Sequence, residues 1–292
     1  MLIPNALASA VVLLLTHLST HSTDAHKSKV SFCFFDLDGT LLDSNKCISN
    51  RTLHILIQGK KAGLHFGIAT GRALSSIYPL IKKYQLQELL DVVIANSGAD
   101  LLLLPTMKHI KNGYVSIDQV KMIITSFSAL EDITIAFHNP GSLFVTKPTP
   151  LMEQISQNNQ EQMVLVENSH KEWEEPARVM LEFHRPETLQ TILSILIPNL
   201  KGYWTEKNIY EFLNENVSKA KAIQMYVRSN GSNLEHVMVF GDGDNDAEML
   251  EAASMGIAMK NASEQAKQAA NMILEHTNDE DGIYYFLKEF LK

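Results

Sequence analysis

Three short apolar runs in the first third of the chain each end in small or acidic residues, and stretches of helical spacing separate them. They are residues 30–36 (VSFCFFD), 64–70 (LHFGIAT) and 91–98 (DVVIANSG). Their length and content of β-formers predict buried strands. Between the first two, Leu53, Leu56 and Ile57 share a helical face, with Ser49 as a cap and Gly63 as a stop. A second helix runs to about Tyr84. Apolar strands alternating with helices predict an α/β fold, a Rossmann-like doubly wound parallel sheet. The pattern resumes near the C-terminus with a helix over 218–230, a buried strand over 236–242 (HVMVFGD), a helix over 246–254, a strand over 256–259 and a final helix.

The middle of the chain reads differently. A helix is predicted over 116–130 and another over 186–197. Strands are predicted at ITIAFH and SLFVTK, neighbours across the turn NPG, and at ARVMLEF and NIYEFLN. The expected organisation is an α/β core of residues 28–104 and 214–292, split by an inserted α+β domain of residues 105–213, a usual domain size.

Residues 1–27 stand apart as a signal-like or non-native extension. Residues 6–18 are nearly all apolar, Thr23 and Ala25 are small residues before a possible cleavage point, and Lys and Arg are missing ahead of the apolar run. The run is too short for a stable membrane span. The expected location is cytoplasmic, or exported if residues 1–25 act as a signal peptide. A net charge of −8 without a basic stripe argues against nucleic-acid binding. Cys33 and Cys47 lack metal-ligand spacing. A disulfide is open to them, but Cys33 reads better as a small core residue.

Polar clusters gather where ligands bind in parallel sheets, outside the carboxyl ends of the strands. DLDGT follows the first strand, TGR the second and GDGDND the strand over 236–242, while Lys219 opens the helix before that last strand. Asp36, Asp38, Asp242, Asp244 and Asp246 could then meet Asn245, Thr70 and Lys219 in one pocket. Carboxylates crowd together only around a cation, and hard oxygen ligands in a partly open site point to Mg²⁺. A cation, a lysine and a hydroxyl suggest phosphoryl chemistry. One aspartate would attack phosphorus, and a second, two residues on, would move the proton.

DLDGT, TGR, SKAKAI and GDGDNDAEML, in that order, closely resemble the four motifs of the haloacid dehalogenase superfamily phosphatases. MGIAMKNASEQAKQAA and the final NDEDG resemble its Cof-type branch. The resemblance implies an aspartyl-phosphate mechanism with Asp36 as nucleophile and Asp38 as general acid/base. It implies that Asp36, the backbone carbonyl of Asp38, Asp242, Asn245 and Asp246 hold Mg²⁺ or its waters. Thr70, Gly71, Arg72, Lys219 and Ser97 would bind phosphate or substrate, and the insertion would be a cap that selects the substrate. Gly39 and Thr40 would shape the turn. Three positions depart from the family: Ser97 where relatives often have Asn, Ala220 after the lysine, and Lys260 in the GIAM segment.

Plainer readings stand beside these. Thr70 would serve as a helix N-cap whether or not it binds phosphate. Asp43 and Asp244 read as loop residues, His65 as structural, and Met249, Met255 and Met259 as core. His138, His184 and Arg185 read as surface or packing residues that could instead contact substrate. The expected activity is hydrolysis of a small phosphorylated metabolite, a sugar phosphate or phosphorylated cofactor. A phosphotransferase or sugar phosphomutase, and a non-catalytic sugar-phosphate sensor, are the alternatives.

Overall fold

The computed structural model describes residues 30–168, 173–206 and 208–292, so the extension at 1–27 lies outside the described residues. In chain order the first strands and helices are β1 (Phe32–Phe35), α1 (Asn50–Lys61), β2 (His65–Ala69), α2 (Leu74–Tyr84), β3 (Val92–Ala95), β4 (Asp100–Leu103), β5 (Lys108–Lys111) and α3 (Ile117–Phe127). There follow β6 (Ile133–Asn139), β7 (Ser142–Val145), α4 (Pro150–Asn159), β8 (Gln162–Leu165), β9 (Val179–Phe183), α5 (Pro186–Ser194), β10 (Leu200–Glu206) and β11 (Ile209–Asn214). The chain closes with α6 (Lys219–Ser229), β12 (Val237–Gly241), α7 (Ala247–Ala252), β13 (Met255–Ala258), α8 (Glu264–Ala269), β14 (Met272–Ile273) and α9 (Gly282–Phe290). This is the expected mixed α/β class. Two compact units result: residues 30–69, Leu89–Asp91 and Ile223–Lys292 form one, and Thr70–Glu88 with Val92–Ala222 form the other.

In the first unit the strands lie in the order β14-β13-β12-β1-β2, each parallel to its neighbour. All four residues of β1 and all five of β12 are buried, as strands covered on both faces require. Phe35 stacks on Phe240 with ring centroids 5.2 Å apart. The same two residues are register partners, and the Asp36 N–H donates to the Phe240 carbonyl at 2.9 Å. The segments that follow β1 and β12 therefore emerge side by side.

Helix α1 starts where expected, with the Ser49 hydroxyl accepting from the Thr52 N–H, and stops before Gly63. Its buried face is Thr52, Ile55, Leu56 and Gly59, however, not Leu53, Leu56 and Ile57, and Ile57 is 39% exposed. Gly59 explains the rotation. A Cβ there would lie 2.7 Å from the Phe66 ring, so the missing side chain lets α1 settle against β2.

The second unit contains an antiparallel β3-β4-β5 meander and a six-stranded sheet in the order β10-β11-β9-β6-β7-β8, antiparallel except for β7 with β8. The strands alternate cleanly. Ile133, Ile135 and Phe137 of β6 and Val179, Leu181 and Phe183 of β9 share one cluster with Val120, Ile123 and Phe127 of α3 and Ile192 of α5. Ala136 and Met180 point to the other face and join Met152 of α4. The helices expected over 116–130 and 186–197 are both present and slightly shorter, the first started by a Ser116–Gln119 capping box. The sequence reading did not anticipate β4, β5, α4, β8 or β10.

Candidate active site

The turn after β1 carries the first acids. Asp36 is buried, and its carboxylate gathers with those of Asp242 and Asp246, with one oxygen of each lying within 4.8 Å of the others. The Thr40 hydroxyl donates to Asp242 Oδ1 at 2.6 Å and fixes that carboxylate. Gly39 makes the approach possible. It has a φ of +78°, and a Cβ on it would lie 2.2 Å from Asp242 Oδ2. Asp246 is fully buried at the end of a short turn (Asp244–Asp246), and its Oδ2 accepts from the Asp242 and Gly243 N–H groups at 3.0 and 2.9 Å. Three clustered carboxylates in a largely buried place repel one another unless a cation joins them. All-oxygen donors of this kind fit a hard divalent ion.

Asp38 sits on the rim, with its side chain 38% exposed and Lys46 Nζ 2.6 Å from Oδ1. Asn245 is exposed on the same turn as Asp246. Asp244 is exposed too, and the Ser263 hydroxyl donates to it. Asp43 accepts from the Asn45 and Cys47 N–H groups, the loop role its position suggested.

The remaining expected residues lie in the second unit and also gather. Thr70 is buried, and its Oγ1 accepts from the Arg72 N–H at 3.2 Å. Its expected N-cap role is not realised, because α2 begins only at Leu74 with Ala73 as an N-cap that makes no side-chain bond. The Ser97 N–H donates to the Thr70 carbonyl at 3.0 Å, and the Asn96 N–H to the Arg72 carbonyl at 2.8 Å. Asn96 and Ser97 both hold left-handed conformations ahead of Gly98, whose φ is +110°. A Cβ at Gly98 would lie 2.4 Å from the Ser218 carbonyl oxygen. The turn after β3 thus presses against the start of α6, where Lys219 is buried. Thr70, Gly71, Arg72, Ser97 and Lys219 consequently line neighbouring segments. Arg178 Nη1 donates to the Gly71 carbonyl at 2.9 Å, a tie no motif announced.

The plainer readings can be placed as well. Cys33 is buried and its burial pushes the thiol pKa up, while Cys33 and Cys47 form no disulfide. His65 stacks on Phe32 and contacts Asp91 at 3.1 Å. Met249, Met255 and Met259 are buried core residues. Arg185 pairs with Asp132 at 2.7 Å, and His184 is half exposed near Glu182. His138, by contrast, is largely buried and paired with Glu161 at 2.8 Å.

The parallel α/β sheet carries an acid cluster at its strand ends, and residues 33–287 match the family model for haloacid dehalogenase-like hydrolases. The chain belongs to that family, and the expectation of a phosphatase-class enzyme of the Cof-type branch is borne out. It is 29% identical over 283 residues to a putative phosphatase of Mycoplasma pneumoniae, covering 91% of this chain and 99% of the relative. It is also 29% identical over 271 residues to the 5-amino-6-(5-phospho-D-ribitylamino)uracil phosphatase YitU of Bacillus subtilis, with 87% and 95% covered. Among solved structures, the haloacid dehalogenase subclass IIB sugar phosphatase BT4131 superposes with a TM-score of 0.74 at 26% identity, over 89% of this chain and 99% of the other. TM0651 from Thermotoga maritima gives 0.75 at 27% identity, over 89% and 97%. Among the described residues, no helix is long and apolar enough to cross a membrane.

Proposed function

We propose that this chain is a Mg²⁺-dependent phosphatase that hydrolyses a small phosphorylated metabolite through an aspartyl-phosphate on Asp36. The observation that carries the reading is the cluster of Asp36, Asp242 and Asp246 beside the ends of β1 and β12. In the first step a carboxylate oxygen of Asp36 bonds to phosphorus. The bond from phosphorus to the leaving alkoxide breaks, and Asp38 gives that oxygen its proton. In the second step Asp38 takes a proton from water as the water oxygen bonds to phosphorus. The bond to Asp36 breaks and free phosphate leaves. Thr70 and Lys219 hold the non-bridging oxygens, and Gly71, Arg72 and Ser97 shape the loop around them. Asp36, Asp242, Asn245, Asp246 and the Asp38 carbonyl would hold the ion. When bound, Mg²⁺ supplies the positive charge that lets an anionic nucleophile approach an anionic ester.

Residues 105–213 act in this reading as the cap that selects the substrate, and residues 28–104 and 214–292 as the catalytic core. A sugar phosphate or a phosphorylated cofactor is the favoured class. The ribityl-bearing substrate in the name of the B. subtilis relative and the sugar phosphatase among the structural relatives both support it. The enzyme is assigned to the cytoplasm; a mature N-terminus near residue 25, found by mass spectrometry, would move it outside.

The test is Asp36→Asn, which should abolish turnover of p-nitrophenyl phosphate while leaving the circular dichroism spectrum intact. Turnover at the wild-type rate would sink the mechanism. Release of inorganic phosphate, rather than an isomerised sugar phosphate, separates hydrolysis from mutase chemistry.

A further inference from the structure

One face of the six-stranded sheet in the second unit is closed by α3 and α5, but its other face is not purely apolar. Glu182 and Glu211 lie there almost fully buried, in strands where the neighbouring positions carry the core. Buried charge is costly without a partner, and each has one: the Thr149 hydroxyl donates to Glu182, and Arg178 pairs with Glu211. Beside this face is a cavity of about 170 Å³. It is smaller than the roughly 300–1,000 Å³ of drug-sized ligand sites, so its occupant is small.

Several polar side chains stand in its wall and are held in place. Asp100, 2% exposed, accepts from the Tyr114 hydroxyl and from Asn96 Nδ2, and His109 Nε2 lies 2.6 Å from it. Burial and the Asp100 carboxylate push the Tyr114 phenol up, so it remains a neutral hydroxyl. Its proton is committed to Asp100, which leaves its oxygen as an acceptor. His138 uses Nδ1 on Glu161, which leaves Nε2 for a ligand. Arg178 lines the cavity with Nη1 held by the Gly71 carbonyl and by Glu211 Oε2 at 3.3 Å, and its Nε is buried with no hydrogen-bond partner among the described residues.

Charge and shape narrow the occupant. Asp100 and Glu161 stand against a single guanidinium, so the lining disfavours a second phosphate or carboxylate. Fixed donors and acceptors close together suit hydroxyl groups, which both donate and accept. Ala73, two residues beyond Gly71, is part of the wall, and Arg178 ties that wall to the proposed phosphate loop.

We infer that this cavity is a subsite for the neutral, polyhydroxylated part of a phosphate monoester, a sugar ring or an open-chain polyol, seated by Asp100, Tyr114, His138 and Arg178. The assignment rests on the phosphatase reading above. The full chain with Mg²⁺ is assayed on p-nitrophenyl phosphate, glucose 6-phosphate, ribose 5-phosphate, ribitol 5-phosphate, fructose 1,6-bisphosphate and pyridoxal 5′-phosphate. A sugar or polyol monoester should exceed p-nitrophenyl phosphate at least tenfold in kcat/KM, and the arms separate ring from open chain. Tyr114→Phe and His138→Ala should each lower the ratio of kcat/KM for that ester to kcat/KM for p-nitrophenyl phosphate at least tenfold, mainly through KM. A constant ratio in both variants, or a preference for the bisphosphate or the pyridoxal ester, overturns the subsite and leaves the phosphatase standing. No phosphate released from any ester overturns both.

Discussion

Thr40 is buried, and its hydroxyl holds Asp242 at 2.6 Å, so it fixes a carboxylate of the acid cluster from behind. Outer partners of metal ligands commonly account for about 10–100-fold in metal affinity. Thr40→Val keeps the shape and removes the donor. Titration calorimetry with Mg²⁺ should show a loss of that order, and Thr40→Ser should restore most of it; unchanged affinity in the valine variant would remove Thr40 from the site. The gathering of Asp36, Asp242 and Asp246 was legible because each acid lies in a short motif directly after a strand, and parallel neighbours put those ends together. Lys46 beside Asp38 and the tie from Arg178 to Gly71 were not legible. The first pair is eight residues apart in a loop and the second 107, and no spacing rule marks either partner. Asp100 was hidden for another reason. It opens the apolar strand β4, and besides the nearby Asn96 its partners His109 and Tyr114 arrive only with the return of the chain through β5 and beyond.

Helix α5 shows how a single charge can secure an element. Its N-cap, Arg185, makes no side-chain capping bond. Asp132, just before β6, instead ties the start of the helix from outside through two side chains, accepting from Arg185 Nη2 and from the Thr188 hydroxyl in the first turn. The Arg185 guanidinium, followed by the Thr188 hydroxyl, holds the Asp132 carboxyl well below the usual carboxylate range. A depressed folded pKa contributes stability that is present above the unfolded value of about 4 and fades as pH falls toward the folded one. Wild type should therefore unfold at higher urea than Asp132→Asn above pH 5. The gap should narrow steadily from pH 4 to pH 2 in parallel urea titrations; a gap independent of pH would mean the carboxylate charge is not what secures α5. At this scale β1, β2, β12 and β13 were readable from length and apolar content, whereas the two-residue β14 was not. The face of α1 was not, because Thr52 and Gly59 are buried there for their small size and a count of apolar residues passes over them. Helix α4 did carry a signal, Thr149 accepting from the Met152 N–H with Pro150 in the first turn, but its mixed polar sequence has little periodicity to draw attention to it.

At the scale of the whole molecule, the acid cluster should couple stability to divalent ions. The chain carries a net charge of −8, and three of its carboxylates are held within 4.8 Å of one another, largely out of water. Without a cation, folding brings these like charges together at a cost; with one, binding to the folded state alone adds stability by mass action. At 100 times the dissociation constant this is about 2.7 kcal/mol. For a chain somewhat larger than 250 residues, each kcal/mol moves the midpoint by roughly 2 °C or slightly less, so saturating Mg²⁺ should raise Tm by about 5 °C. Ionic-strength-matched NaCl should give much less, because it screens without joining the three oxygens, and chelation with EDTA should return Tm to the ion-free value. Asp242→Asn separates the two effects. The variant retains an oxygen acceptor for Thr40 but relieves the repulsion, so its ion-free Tm should match or exceed that of wild type while its response to Mg²⁺ largely disappears. An equal Mg²⁺ shift in both proteins would place the stabilising ion elsewhere, and a lower ion-free Tm in the variant would mean that the contacts of the Asp242 charge outweigh the repulsion it brings.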